Sequence, residues 1–167
     1  MLTAAHDAIN KRDKDRLAAE VKSSGDPDQT DKSGRTLLMW AVIEGDAQLV
    51  ETLIKCGASI NSRDKKNGYS ALHFAAQGQR PEIVNILILA GADLEARDNF
   101  GNTALNRATF YSKGKGETVK ALLGHGANPN NENDHGVTPL SLAKQIANYD
   151  IAQFFDSEYK HLDGKKN

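Results

Sequence analysis

Histidine, cysteine and acidic side chains are the groups in this chain that could act as nucleophiles, bases or metal ligands. The five histidines are His6, His73, His125, His135 and His161. No two of them stand four residues apart, and none combines with cysteines in a zinc-binding spacing. The sequence therefore predicts no metal site, no cofactor and no catalytic centre, and we expect a protein that is not an enzyme.

Two short clusters come nearest to a chemical site. Glu132, Asp134 and His135 could hold a cation, but we favour a solvated loop at this position. Gly114-Lys115-Gly116 resembles part of a phosphate-binding loop, yet no strand precedes it and no further glycine pattern supports it. We interpret this tripeptide as a flexible insertion.

Cys56 is the single cysteine among the 167 residues. An internal disulfide is therefore impossible, and a reducing compartment is the natural expectation. A reactive thiol is the alternative, but the neighbouring sequence shows no lysine and histidine arrangement that would activate it. We expect an ordinary surface or partly buried cysteine.

Four segments repeat one another at intervals of 34, 33 and 35 residues. They are 36–41, 70–75, 103–108 and 138–143, and each begins with Thr or Ser, has Leu in third place and ends with Ala. Gly-Ala pairs at 57–58, 91–92 and 126–127 keep the same spacing. A period near 33 residues indicates a solenoid of stacked repeats.

The repeated pattern resembles that of the ankyrin repeat, whose usual string is D-x-x-G-x-T-P-L-H-x-A, then V-x-x-L-L and G-A-x-x-N. The second unit comes closest, with Gly68 to Ala76, Val84, Leu87-Ile88 and Gly91-Ala92 in the matching places. The resemblance implies an all-α solenoid in which paired antiparallel helices alternate with hairpin loops. His73 falls on the histidine of the string, where the family uses the ring to hold neighbouring turns by hydrogen bonds.

On this frame we expect one ankyrin repeat domain over residues 1–157, followed by a C-terminal tail at 158–167. The domain divides into about five units, at about 2–30, 31–63, 64–97, 98–132 and 133–157. The first and last units are expected to be atypical caps, because one flank of each faces water.

Each unit carries local signals for two helices. Glycines at 34, 68, 101 and 136 allow a turn with positive φ, and the Thr or Ser two residues later can cap the first helix. Val50, Leu53 and Ile54, at spacings of three and four, give the second helix an apolar stripe. We expect Leu72 and Leu105 at the centre of the stack, and Trp40 packed between first helices.

Composition excludes several classes of partner. The formal net charge is −1, so there is no bulk attraction toward nucleic acid or an anionic membrane. The N-terminal residues lack the apolar core of a signal peptide, and no apolar run approaches the 18 residues that span a bilayer. We expect a cytoplasmic protein that binds neither nucleic acid nor membrane.

The resemblance implies that the hairpin tips and one face of each first helix line a concave surface that binds another protein. Carried over to this sequence, the candidate contacts are Arg35, Tyr69, Phe100, Asn102 and His135 at the tips, and Gln77, Phe110, Tyr111 and Gln145 on the first helices. Aromatic residues are typical anchors of such interfaces. Packing of some rings into the next unit is the alternative.

Two insertions depart from the family pattern. Ser112 to Gly116 must lengthen the loop between the helices of unit three, and Lys65-Lys66-Asn67 must enlarge the tip of unit two. Both insertions add lysines, which indicates an acidic contact on the partner, with solvated loops as the alternative.

These observations predict a protein that is a monomer when free and binds a partner protein of unknown identity. The array is similar to small bacterial ankyrin proteins, some of which are immunity proteins. One hypothesis is therefore an inhibitor that neutralises a cognate toxin or enzyme by blocking its active site. The other is an adaptor subunit of a signalling or transcription complex.

Overall fold

The computed structural model describes residues 3–146 and 150–155. In these ranges nine α-helices of at least seven residues alternate with loops. They are α1 (Ala4–Asn10), α2 (Lys14–Ser24), α3 (Leu37–Glu44), α4 (Ala47–Lys55), α5 (Ala71–Gln77), α6 (Pro81–Leu89), α7 (Ala104–Tyr111), α8 (Glu117–Gly124) and α9 (Pro139–Gln145). The tail expected at 158–167 lies outside the described residues.

The helices form two layers. α1, α3, α5, α7 and α9 pack in that order as an inner layer, and α2, α4, α6 and α8 pack in that order as an outer layer. Within the described ranges the chain has one isolated β-bridge, between Thr30 and Thr36, and no β-strand. The all-α repeat architecture expected from the sequence is confirmed.

The first helix of each unit begins at the expected Thr or Ser. Thr36 Oγ1 accepts the backbone N–H of Met39 at 3.3 Å. Ser70 uses its backbone N–H to donate to Nδ1 of His73 at 3.2 Å, and Thr103 caps α7 in the same way. These bonds satisfy backbone donors that the helix itself leaves unpaired.

The second helices end at the expected glycines. The glycines at 57, 91 and 126 have φ between 84° and 92°. A side chain is disfavoured in this left-handed region, so glycine ends the helix without strain.

Leucines at the same place in successive units form the centre of the core. Leu38, Leu72 and Leu105 are at most 1% exposed, which confirms the expectation for the latter two. Near the C-terminal end of the described chain, Ile151 and Phe155 are also buried. One continuous apolar core therefore runs through the stack.

The N-terminal helices α1 and α2 form a pair that covers α3 and α4. Ala8, Ile9 and Leu17 are at most 1% exposed at this contact. α1 begins as the later inner helices do, because the backbone N–H of Thr3 donates to Nδ1 of His6 at 3.3 Å. The degenerate first unit thus keeps the local structure of the complete ones.

Candidate protein-binding face

The loops before α3, α5, α7 and α9 form four hairpin tips, at residues 31–35, 64–69, 98–102 and 133–137. Each tip is closed by a side-chain oxygen that accepts two backbone N–H groups. In the third tip, Asp98 Oδ1 accepts from Phe100 at 2.8 Å and from Asn102 at 3.0 Å. Asp31, Asp64 and Asn133 do the same in the other tips.

Backbone hydrogen bonds join each tip to the next. The N–H of Lys65 donates to Ser33 at 2.9 Å, and the same bond recurs at 2.9 Å and 3.1 Å between the later tips. Gly68 has φ of 69°, and a side chain there would collide with Asn99 of the following tip. The four tips therefore form one continuous edge along the stack.

The third tip contains a buried ion pair. Arg107 donates from its guanidinium to the Asp98 carboxylate, with Nε to Oδ2 at 2.9 Å. The Asp98 side chain is 0% exposed. Burial alone would raise the pKa of Asp98, but hydrogen bonds from Arg107 and from two backbone N–H groups outweigh it and hold the pKa below its ordinary value. The carboxylate is thus ionised and paired.

His73 connects the second and third tips. Its Nε2–H donates to the backbone oxygen of Asn102 at 3.0 Å, and its Nδ1 accepts from Ser70. Burial lowers the pKa of His73 and outweighs the bond to Asn102, so the ring is neutral near pH 7. This is the structural role that the sequence resemblance implied.

In the first tip the carboxylate of Asp31 has different side-chain partners. Asp31 Oδ2 accepts from Nε1 of Trp40 at 3.2 Å and pairs with Arg35 at 2.8 Å. The Arg35 guanidinium lies 4.4 Å from the centre of the Trp40 ring. Trp40 is only partly buried, but it packs against the core as expected.

Comparison with known proteins gives the family. A model of ankyrin repeats, three copies in length, matches residues 5–98 and 80–163. These two matches cover most of the chain. The chain belongs to the ankyrin repeat family.

Similar proteins of several organisms also carry ankyrin repeats. An ankyrin repeat protein of fowlpox virus (strain NVSL) is 34% identical over 139 residues, which are 81% of this chain and 40% of the viral protein. Human SH3 and multiple ankyrin repeat domains protein 2 is 29% identical over 154 residues, 92% of this chain and 8% of the human protein. An ankyrin repeat-containing protein of Treponema pallidum is 34% identical over 114 residues, which are 68% of this chain and 38% of the Treponema protein. The chain spans less than half the length of each of these relatives.

Tyr69 is the candidate contact residue that the structure places in the interior rather than at the surface. Its side chain was expected to face outward, but the residue is only 7% exposed. The ring stacks on His73 at 5.5 Å between centroids and meets Phe74 edge-on at 5.2 Å. The Arg107 guanidinium covers it at 4.9 Å. Tyr69 is therefore a packing residue between units two and three.

Two aromatic rings of unit three are exposed. Phe100, at the third tip, is 53% exposed, and Phe110, in the last turn of α7, is 60% exposed. Tyr111 is partly buried and meets Phe110 edge-on at 5.0 Å between ring centroids. The exposed ring of Phe110 thus packs on one side against the partly buried ring of Tyr111.

The polar candidates differ in how much of them is available. His135 and Gln145 are exposed, whereas Arg35, Gln77 and Asn102 are partly buried. Asn102 is engaged within the protein, because its Oδ1 accepts from Asn133 at 2.8 Å and its Nδ2 lies near the Asp98 carboxylate. Arg35 is likewise bound to Asp31.

The long loop of unit three lies beside the exposed rings. Residues 112–116 join α7 to α8, where only two residues separate α3 from α4. Ser112 is buried at the base of the loop, while Lys113 and Lys115 are exposed. The expected lengthening of this loop is confirmed.

One member of the cluster at Glu132, Asp134 and His135 takes part in a contact between units. Asp134 Oδ1 accepts from Arg97 at 3.1 Å, and Glu132 and His135 are exposed. Across residues 3–146 and 150–155, no three His, Cys, Asp or Glu side chains come together as a metal site would require.

Cys56 is partly buried at the end of α4.

None of the helices in the described part of the chain has the length and apolar character needed to cross a membrane.

Sequence reasoning missed two structural features, the cap of α1 and the role of Arg107. Thr3-Ala-Ala-His6 repeats the pattern of Ser70-Ala-Leu-His73, so the cap of α1 could have been found by extending the repeat to the N-terminus. Arg107 had no comparable signal, since the pattern at its position varies between Trp40, Phe74 and Arg107.

Proposed function

We propose that this chain binds a partner protein through the concave face formed by the hairpin tips and the exposed ends of the inner helices. Ankyrin repeats are generally protein–protein interaction modules. The observation that carries the proposal is the exposure of Phe110 at 60% of its surface on a folded, well-packed unit. Large aromatic rings are typical anchors of protein interfaces.

Phe100, Phe110 and Tyr111 are the proposed anchors, and the polar residues around them supply the rim. Gln77, on the preceding inner helix, and His135 and Gln145, in the following unit, can hydrogen-bond to the partner. Arg35 and Asn102 contribute through the atoms that their internal contacts leave exposed. The central aromatic cluster with a polar rim has the composition of known interfaces.

The nature of the partner is a separate part of the proposal. A toxin or other enzyme is the first candidate, because Phe110 beside the long loop at 112–116 forms a projection that could enter an active-site cleft. An adaptor role in a signalling or transcription complex is the alternative. The ankyrin fold is a non-catalytic interaction fold, and we propose that the chain has no catalytic activity of its own. We further propose a cytoplasmic monomer, which the single cysteine supports.

A pull-down with three versions of the protein tests this function. Wild-type protein, Phe110→Ala and Leu89→Ala are each immobilised and exposed to lysate of the native host. Leu89 is the matched control, since it is 81% exposed but lies on α6 in the outer layer. We expect wild type and Leu89→Ala to retain the same partner. Phe110→Ala should bind this partner more weakly, by about 2 kcal/mol of binding free energy.

The result that would contradict the concave face is a partner lost on Leu89→Ala and retained on Phe110→Ala. An activity assay of the captured partner then separates the two roles. If an equimolar amount of this chain inhibits the activity of the captured partner, the result supports the inhibitor role. If the activity is unchanged, it supports the adaptor role.

A further inference from the structure

The hairpin tips of units one and two carry a surplus of positive charge. Five cations lie in or directly before these tips, and we call them the basic rim: Lys32, Arg35, Arg63, Lys65 and Lys66. Asp31 and Asp64 are the only carboxylates in the same two tips. Asp31 is bound to Arg35 and Trp40, and Asp64 is buried with Oδ1 engaged by two backbone N–H groups.

Most of the basic rim has no counter-charge in the part of the chain that the structure describes. Among the described residues, no carboxylate forms an ion pair with Lys32, Lys65 or Lys66. Arg63 donates to the backbone oxygen of Gly68 at 2.9 Å but also has no acidic partner among them. Within residues 3–146 and 150–155, four positive charges of the basic rim thus have no acidic partner.

The equivalent place one unit later shows what internal compensation looks like. Arg97 corresponds to Arg63, and it pairs with Asp134 of the next tip at 3.1 Å. The residue that corresponds to Asp134 for Arg63 is Asn99, which is neutral. Along the tips, the same position thus changes from Lys32 and Lys65 through Asn99 to Asp134.

A pocket opens between the two basic tips. Its volume is about 160 Å³, and Ser33, Arg35, Asp64, Lys66, Asn67 and Phe74 line it. A pocket of this size is wide enough for one side chain to enter. Hydroxyl, amide and guanidinium groups beside the Phe74 ring suit a polar side chain of a peptide.

We propose that the tips of units one and two bind an acidic peptide segment of the partner protein, whose carboxylates meet Lys32, Lys65 and Lys66 while one side chain enters the pocket. This inference rests on the proposed function and names the chemistry of the partner at one end of the same face. Neighbouring units are about 8–10 Å apart. A polyproline II segment has three residues per turn and rises about 3.1 Å per residue, so carboxylates three residues apart share one face and match the separation of Lys32 and Lys65.

A nucleic acid is a poorer match for the same charges. Its phosphates continue at short intervals, whereas the basic rim spans only two tips. Further along the edge lie the exposed Glu132, which repels phosphates, and Asp134, which already pairs with Arg97. The net charge of −1 gives no general attraction for a polyanion. A short acidic segment fits the limited length of the basic rim.

Backbone amide NMR on the full chain tests the inference with a defined probe. The probe is a synthetic peptide of about twelve residues with glutamate at every third position, the repeat of a polyproline II helix, and the matched peptide carries glutamine instead. We expect the glutamate peptide to cause saturable shifts at residues 32–35 and 64–69 and the glutamine peptide to cause none. Raising NaCl from about 0.05 M to about 0.5 M should weaken the binding, because salt screens exposed charges.

Charge reversal supplies the second arm. The double variant Lys65→Glu with Lys66→Glu should bind the glutamate peptide about tenfold more weakly or more weakly still, because attraction is replaced by repulsion. Lys14→Glu with Lys22→Glu changes the net charge equally on α2 of the outer layer and should leave the affinity unchanged. Equal shifts with the glutamine peptide, no saturable shift, or tighter binding of a thymidine dodecanucleotide would each overturn the inference.

The two proposals can fail separately. A captured partner that is lost on Phe110→Ala but retained on the Lys65→Glu and Lys66→Glu variant would leave the proposed function in place and remove the acidic segment. Loss on both variants supports both proposals. Retention on Phe110→Ala together with a positive peptide titration would remove the concave anchors and keep the acidic site.

Discussion

Units one and three place an aspartate at the same point of the hairpin tip, yet they neutralise it in different ways. In unit three, Arg107 reaches back nine residues to Asp98, whose side chain is fully buried. In unit one, Trp40 stands in the position of Arg107 and donates one N–H, while Arg35 supplies the charge from a more exposed place. The fold fixes one carboxylate oxygen in both tips and leaves the other to local sequence.

Unit two shows the third possibility. Phe74 takes the place of Trp40 and Arg107, and Asp64 has no ion pair with any described residue. The ring of Tyr69 is then available to pack under Arg107 of the next unit. One repeated backbone thus tolerates three electrostatic solutions, because backbone N–H groups stabilise the carboxylate in each.

The largest difference between units one and three should follow from removing the buried cation. Arg107→Ala leaves Asp98 charged and buried, so we expect a loss of about 3 to 5 kcal/mol in the free energy of unfolding. It also uncovers Tyr69, which loses its cation–π contact. Urea denaturation measures the loss, and a loss below about 1 kcal/mol would mean that the backbone N–H groups alone suffice.

The apolar core should not distinguish the two units. Leu38 and Leu105 are both 0% exposed at the same repeat position. Leu38→Ala and Leu105→Ala should each cost about 2 to 5 kcal/mol from lost burial and cavity formation. A denaturant titration that shows clearly unequal losses would indicate that the terminal pair α1 and α2 relaxes around the cavity more easily than the centre of the stack does.

The sequence predicted the part of the structure that every unit must share. Leu72, Leu105 and the capping residues recur because each unit packs on a copy of itself, so their spacing determines the helices and core. Tyr69 could not be placed in this way. Its burial depends on Arg107, which is one unit away and varies between units, and on a salt bridge that no repeat pattern records.

The charges of the tips were only partly predictable for the same reason. The added lysines at 65 and 66 were visible in the sequence, but their lack of an internal partner depends on Asn99 standing where the next unit has Asp134. Exposure of Phe110 also depended on how Tyr111 packs beneath it.

Acid should act on the contact between units two and three through His73. Burial lowers its pKa below the ordinary 6.5, so below about pH 6.5 the unfolded chain binds more protons and stability falls as pH falls. One such proton contributes at most about 1.4 kcal/mol per pH unit. His73→Asn should reduce this dependence between about pH 7.5 and about pH 5.5.

Unit three supplies the reason to choose asparagine. Asn106 stands at the place of His73, accepts from Thr103 at 3.0 Å and does not titrate. His135→Asn makes the same substitution at an exposed histidine and is the matched control. His6 retains a residual dependence in both variants, because burial lowers its pKa as well. If the unfolding free energy of His73→Asn depends on pH as steeply as that of wild type, His73 is not the source of the acid sensitivity.

The smallest effect should come from removing the cation of unit one. Arg35→Ala leaves Asp31 with the Trp40 N–H and two backbone N–H groups, and the side chains of Arg35 and Asp31 remain 30% and 12% exposed. Water can therefore replace the guanidinium, and we expect a loss of about 1 kcal/mol or less. Urea denaturation beside Arg107→Ala gives the comparison directly. Equal losses for the two arginines would show that burial of the carboxylate does not control what its cation contributes, and the distinction between the two units would then rest on Trp40 and Tyr69 alone.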